Sequence, residues 1–315
     1  MIFNKLEKNF KKLKPWADRS KIEVFRLYDK DIPEFPFLVD VYKDYIVVFD
    51  KTEEIDQGKN KNDEIKSAIK QLFQMSDDVA AKKIIFKKRE RQKGNNQYQK
   101  LEQKNEKMKV LENGIPVLVN LIDYLDTGLF IDHRPMRYFF LKNSKQKKFL
   151  NLFSYTSVVS LMAAIGGAET VSVDLSDKYL DWAQENFKLN GLDTLKHRFI
   201  EQDVLQFIEH ASNWPDYKQN FDMIFLDPPT FSNSKSMVES FEVERDQYKM
   251  VLNTLKFLKP DGTLYFSTNK RKFKLDPRLE TDFLIKNTTE KTIPQDCHDQ
   301  KIHQSYEIRL KQKNT

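Results

Sequence analysis

Residues 221–233, Phe-Asp-Met-Ile-Phe-Leu-Asp-Pro-Pro-Thr-Phe-Ser-Asn, gather the side chains with the most chemistry in this sequence. Met223 to Leu226 is a short apolar run, which suits a strand covered on both faces of a parallel sheet. Pro228 and Pro229 lack a backbone N–H and have fixed φ, so they stop the ladder and make a stiff exit that Asp227 must share. Open α/β sheets hold their ligands at such carboxyl ends of strands. There Asp227 offers a carboxylate and Phe231 a ring able to stack on a flat nitrogenous one. Taken alone, these residues also fit a plain strand-end turn, in which Asp-Pro is common.

The elements needed to position them follow a βα rhythm. Lys148 to Phe153 reads as a strand, Ser154 to Gly167 as a loop and a small-residue helix, and Thr170 to Leu175 as a second strand ending at Asp174. An acidic residue about 20 positions after the first strand is the nucleotide-binding arrangement, in which a carboxylate accepts both ribose hydroxyls. The other reading of Asp174 is a helix cap, since Ser176-Asp177 opens the next helix. That helix runs to Leu192, with Trp182, Phe187 and Leu189 assigned to the core and Asn190-Gly191 as its stop. Arg198 to Ile200 is a third strand, delivering Asp203 and Val204 where an acid could accept the adenine amino group. Phe241 to Leu258 reads as an amphipathic helix and Lys259 to Gly262 as a turn. Thr263 to Ser267 is a fifth strand whose end carries Asn269, Lys270 and Arg271. The tail from Thr292 to Leu310 is expected to add the final antiparallel strands. Strands alternating with helices predict a doubly wound parallel sheet.

The amino-terminal part reads differently. Met1 to Ser20 is a basic amphipathic helix with Phe3, Leu6, Phe10 and Leu13 at helical spacing. Strands over Ile22 to Leu27, Phe37 to Phe49 and Lys82 to Lys88, with a helix over Asn62 to Phe73, predict a smaller α+β domain across residues 1–107. Asn113-Gly114 marks a hairpin, giving a linker over 108–119 and a second domain over 120–315. Lys82, Lys83, Lys87, Lys88, Arg89, Arg91 and Lys93 cluster as phosphate contacts, or as a solvated edge strand guarded by lysines. Lys142, Lys145, Lys147 and Lys148 read as a solvated loop. Net charge is +6 with a pI near 9.0, which permits a nucleic-acid partner without requiring one. One cysteine, Cys297, excludes an intrachain disulfide and a cysteine metal cluster. The five histidines show no metal-ligand spacing, and His298 and His303 are assigned to surface or packing. With no signal peptide and no apolar run long enough to span a membrane, a cytoplasmic location is expected.

From Asn120 to Leu310 the chain resembles the class I S-adenosylmethionine-dependent methyltransferases, which use Asp-Pro-Pro followed by an aromatic residue to hold a nitrogenous base. Three runs, Asp126 to Pro135, Leu226 to Lys235 and Asn269-Lys270-Arg271, together with Asn4 to Trp16 and Arg89 to Gly94, carry a closer resemblance covering nearly the whole chain. They are similar to the carboxyl-terminal half of the bifunctional bacterial 23S rRNA guanine methyltransferases K/L. That resemblance implies a Rossmann-like, mostly parallel seven-stranded sheet, S-adenosylmethionine as cofactor, no metal, and formation of 7-methylguanosine in domain V of 23S rRNA. It implies catalytic roles for Asp227, Pro228, Pro229 and Phe231. Cofactor contacts are implied at Phe130, Asp132, Arg134, Asn151, Phe153, Ser154, Tyr155, Thr156, Leu175, Ser176 and Val204, beside Asp174, Asp203 and Asp227. RNA contacts fall on Arg89, Arg91, Lys93, Phe231, Asn233, Lys235, Asn269, Lys270 and Arg271. The expected partner besides rRNA is the other, THUMP-bearing half, which makes N2-methylguanosine and is not part of this sequence; the chain is then either a natural protein or an excised half.

One departure stands out. The loop after the first strand usually contains glycine in this class, whereas Thr156 is followed here by Ser157-Val158-Val159-Ser160, small residues that keep most of the room. Three other functions compete. A 5-methylcytosine enzyme needs a cysteine nucleophile, for which Cys297 is the sole candidate. An exocyclic-amine methyltransferase fits the same motif. A non-catalytic RNA-binding or assembly module would lack cofactor binding altogether.

Overall fold

The computed structural model describes residues 1–52, 61–88, 106–232 and 240–311. The chain divides into two units, Met1–Ile131 with Gln295–Asp299, and Asp132–Pro294 with Gln300–Thr315.

In the first unit, α1 (Ile2–Arg19) buries Ile2, Leu6, Leu13 and Ala17, a stripe set by helical spacing, while Phe3 and Phe10 pack at its edge. Strands β1 (Val24–Asp29), β2 (Phe37–Tyr42) and β3 (Tyr45–Asp50) pair antiparallel. Helices α2 (Asn62–Leu72) and α3 (Asp77–Lys83) lead to β4 (Ile84–Lys88), which pairs parallel to β3. Lys82 and Lys83 therefore end a helix instead of opening a strand. Ser76 caps that helix by accepting from Val79 N, and Asp77 and Asp78 sit in its first turn, a short N-terminal signal that the lysine run obscured. β5 (Met108–Glu112) and β6 (Ile115–Val119) form the expected hairpin, with Asn113 and Gly114 at φ of 52° and 80°, the two left-handed positions of a type I′ turn. Residues 295–299 complete this unit. Asp296 Oδ2 accepts from Arg26 N at 2.9 Å, and Asp29 Oδ2 accepts from the backbone N–H groups of His298 and Asp299 at 3.0 Å each. Arg26 in turn holds Asp40 through two buried hydrogen bonds of 2.8 and 3.1 Å.

The second unit opens with α4 (Arg134–Asn143), β7 (Lys148–Leu152), α5 (Val158–Ile165), β8 (Glu169–Asp174), α6 (Asp177–Leu189) and β9 (Arg198–Glu201). It continues with α7 (Val204–His210), β10 (Phe221–Leu226), a small ribbon of β11 (Phe231–Ser232) and β12 (Phe241–Glu242), α8 (Val243–Leu255) and β13 (Leu258–Thr268). Then come α9 (Pro277–Asp282), β14 (Phe283–Asn287), α10 (Thr289–Thr292) and β15 (Gln304–Leu310). One seven-stranded sheet has the order β14-β15-β13-β10-β7-β8-β9, and β15 alone runs against its neighbours. This is the Rossmann-like, mostly parallel sheet of the class I fold. Its central strands are buried on both faces, which is why β10 reads as a continuous apolar run.

Local differences have local causes. Residues 259–262 do not turn between elements but bulge within β13, since Phe221 pairs with Leu258 while Met223 pairs with Thr263. The tail supplies one strand, β15; the edge strand beside it, β14, comes before Thr292, which itself ends the short α10. Leu189, the last residue of α6, is 38% exposed, whereas Trp182 and Phe187 are buried as expected.

Candidate functional site

The strand order reverses between β7 and β10, whose last residues, Leu152 and Leu226, are paired. Connections from β7 lead to β8 and β9 on one side, and those from β10 lead to β13 on the other, so a crevice opens at these two carboxyl ends. The loop after β7 forms one wall. Phe153, Tyr155 and Ser157 have φ of 59°, 51° and 51°, a left-handed backbone that glycine would adopt without cost. Partners hold it: Ser154 N donates to Val173 O at 3.0 Å, Tyr155 N to Asp174 Oδ2 at 2.7 Å, and Ser157 Oγ to Ser154 Oγ at 3.1 Å. The absence of glycine is met by strain that neighbouring bonds over-determine. Thr156 is buried, and Asn151 Nδ2 donates to Ser160 Oγ at 2.9 Å, tying β7 to α5.

Asp174, at the end of β8, accepts from Tyr155 N and, through Oδ1, from Ser176 N at 3.0 Å. Burial holds its carboxyl above the usual range against the opposing pull of the Ser176, Tyr155 and Leu175 N–H groups. The cap of α6 is Ser176, whose Oγ accepts from Tyr179 N; Leu175 between them is exposed. Asp203 caps α7, with Oδ1 accepting from Leu205 N and Gln206 N, and Val204 is buried behind it.

Across the crevice, Asp227 follows β10 with its side chain 26% exposed, Pro228 is buried, and Phe231 presents a ring that is 53% exposed. Thr230 Oγ1 donates to Asn269 Oδ1 at 2.6 Å, which joins the loops after β10 and β13. His133 Nε2 donates to Asp227 Oδ2 at 3.0 Å. Behind it, His303 Nδ1 donates to Asp132 Oδ2 at 3.2 Å, and His303 Nε2 lies 2.9 Å from Thr292 Oγ1. Sequence reasoning missed His133, although it lies between Asp132 and Arg134, and left His303 among surface or packing residues. His303 is 1% exposed, and its partner Asp132 is 171 positions away, so spacing carries no signal of the pair. Ligand atoms of Asp132, His133 and His303 lie within 4.8 Å of one another, a grouping that linear spacing had not suggested. His133 Nε2 and both nitrogens of His303 already have protein partners, so the group reads as a hydrogen-bonded array.

Other expected contacts are placed as follows. Phe130 is 42% exposed at the end of the first unit, and Arg134 is buried at the start of α4. Lys270 Nζ contacts Glu242 Oε1 at 2.7 Å and Glu244 Oε2 at 2.5 Å, which engages the ammonium inside the protein, while Arg271 is exposed. In the first unit Lys87 is 4% exposed and donates to the carbonyls of Tyr124 and Leu125, so it does not serve as a surface phosphate contact. Burial, partly offset by Asp126 and Asp123, lowers its ammonium to about 8. Arg89, Arg91, Lys93, Asn233 and Lys235 lie outside the described residues. Among the described residues no helix is long and apolar enough to cross a membrane.

Comparison with known proteins gives this geometry a lineage. Ribosomal RNA large subunit methyltransferase K of Neisseria meningitidis serogroup B is 42% identical over 313 residues, covering 98% of this chain and 86% of that protein. Ribosomal RNA large subunit methyltransferase K/L of Legionella pneumophila (strain Lens) is 40% identical over 98% of this chain, which spans only 43% of the relative's length. Among solved structures, a candidate methyltransferase complexed with SAH superposes with a TM-score of 0.75 at 24% identity, covering 98% of this chain and 80% of that one. A SAM-dependent methyltransferase from Agrobacterium tumefaciens gives 0.59 at 21% identity over 88% of both chains. These two likenesses support the fold. Residues 48–305 match the S-adenosylmethionine-dependent methyltransferase family, and with the Neisseria relative this shows that the chain belongs to that family as an enzyme using S-adenosylmethionine as its cofactor.

Proposed function

We propose that this enzyme methylates N7 of a guanine in domain V of 23S rRNA, by positioning the base for in-line transfer with no covalent enzyme intermediate. The ribosomal substrate follows the names of the Neisseria and Legionella relatives, and the ring nitrogen follows the sequence resemblance. The observation that carries the reading is the Asp227 carboxylate, braced by His133 and followed by the rigid proline pair and the exposed ring of Phe231.

Bound S-adenosylmethionine supplies a methyl group on a sulfonium, which departs as a neutral thioether. Alignment is therefore the main contribution asked of the protein. Asp174, a carboxylate already fixed by two backbone N–H groups, would receive the ribose hydroxyls, and Asp203 would accept from the adenine amino group through the oxygen that does not cap α7. Phe231 stacks on a guanine drawn out of its helix, an interaction worth roughly 1–3 kcal/mol per base. Guanine N7 carries a free lone pair, so its methylation needs no general base. Asp227 Oδ2 is engaged by His133, which suits a carboxylate that stabilises a cationic product better than one that removes a proton. An exocyclic amine would need such a proton acceptor, and a 5-methylcytosine mechanism would need a reachable thiol, whereas Cys297 is 2% exposed.

Incubation of the enzyme with methyl-labelled S-adenosylmethionine and unmodified ribosomal RNA, followed by digestion and mass spectrometry, should yield labelled 7-methylguanosine at one domain V position. Labelled N2-methylguanosine or 5-methylcytosine in its place overturns the N7 assignment.

A further inference from the structure

We infer that His133 is a positioning residue for Asp227, in a partly buried array where Asp132 and Asp227 both face its Nε2 and His303 braces the ring from behind. The inference rests on the reading that Asp227 faces the target base. Its geometry comes from places distant in sequence: the turn ahead of α4, the end of β10, the end of α10 and the approach to β15. His133 Nε2 stands 3.0 Å from Asp227 Oδ2 and 3.9 Å from Asp132 Oδ2. The ring is 6% exposed and its tilt is set on two sides. It stacks on His303 at 5.1 Å between centroids and 12° between planes, and meets the edge or face of Phe225 at 5.5 Å and 83°. His303 is fixed in turn by Asp132 and Thr292. Such a support shell holds a functional side chain within the few tenths of an ångström that alignment demands.

Electrostatics agree with the geometry. Burial alone would lower the imidazole, and Arg137 acts in the same direction, but Asp227 and Asp132 outweigh both and push His133 from 6.5 up to about 9. Burial alone would raise Asp132, yet the facing His133, His303 and Arg137 hold it well below the usual carboxylate range. Around neutral pH an imidazolium thus faces two carboxylates through Nε2. Without it the two like charges would repel, and Asp227 would turn away.

Three variants test this, assayed as full-length enzyme with ribosomal RNA and S-adenosylmethionine. His133→Phe keeps the ring and removes the donor; kcat should fall about 100-fold, the loss typical of a misplaced catalytic group, while cofactor affinity stays within about twofold. His133→Gln keeps a donor at the position of Nε2 without the charge, and should recover kcat to within about 10-fold of wild type. Wild-type kcat should decline as pH rises through about 9, where the imidazolium is lost, and His133→Gln should lack that limb. Guanine ionises similarly in both assays, so the ratio of the two profiles is the readout. Retention of wild-type kcat by His133→Phe, or an identical pH profile for His133→Gln, overturns the inference and leaves the assignment of Asp227 intact. Full activity of Asp227→Asn overturns both. If His133→Phe does not fold, nitrogen NMR of wild-type histidines decides: a His133 midpoint near 6.5 that Asp227→Asn leaves unmoved also overturns it.

Discussion

Asp174 ties two segments together with a single carboxylate, since one oxygen accepts from the loop after β7 and the other from the start of α6. Its removal should act on the cofactor more than on the fold. Asp174→Ala is expected to weaken S-adenosylmethionine binding by about 100-fold in calorimetry, through loss of charge-assisted hydrogen bonds worth about 1.5–3 kcal/mol each. Unchanged affinity would remove the ribose assignment. Its place at the end of β8 was legible in the sequence because a strand end and a helix start bracket it within a few positions. Lys270 was not legible in the same way: its position at a strand end suggests an RNA contact, and only the fold brings Glu242 and Glu244, nearly 30 positions back in the chain, onto its ammonium. His303 was hidden for the same reason, at greater distance.

At the scale of elements, the strands were easier to read than the short helices. Parallel strands buried on both faces leave short unbroken apolar runs, and α6 and α8 leave an amphipathic period, but α7, α9 and α10 are too short for a period to show. The bulge in β13 was also masked, because Lys259-Pro260-Asp261-Gly262 has turn composition whether it ends a helix or interrupts a strand. The packing of α4 against α5 gives a direct test. A Cβ on Gly166 would lie 2.6 Å from Leu141 O and 3.0 Å from Phe140 O, backbone atoms that can move only if α4 moves. Gly166→Ala should therefore cost about 2–3 kcal/mol in denaturant unfolding, as overpacking does. Because α4 begins directly after His133, activity should fall further than stability alone explains. A variant as stable as wild type would show that α4 yields more readily than its contacts indicate.

Over the whole molecule, the sequence pattern foretold a parallel sheet and a smaller α+β region, but not the return of residues 295–299 to the first unit. That return rests on contacts about 270 positions apart, such as Arg26 N to Asp296 Oδ2. Between α10 and β15, both in the second unit, residues 295–299 belong to the first unit, anchored by Asp296 and by Asp29. Within that five-residue passage lies Cys297, 2% exposed and the one cysteine of the sequence. A thiol reagent added to the native enzyme therefore has a single address, and its rate of reaction measures how often this passage lets go. Asp296→Ala should speed labelling by about 10- to 100-fold, the equivalent of one charge-assisted hydrogen bond, while an unchanged rate would mean that the contacts made by Asp29, Asp31 and Lys30 secure the passage without it. A residue with no part in the proposed methyl transfer thus becomes a built-in clock for the local opening of residues 295–299.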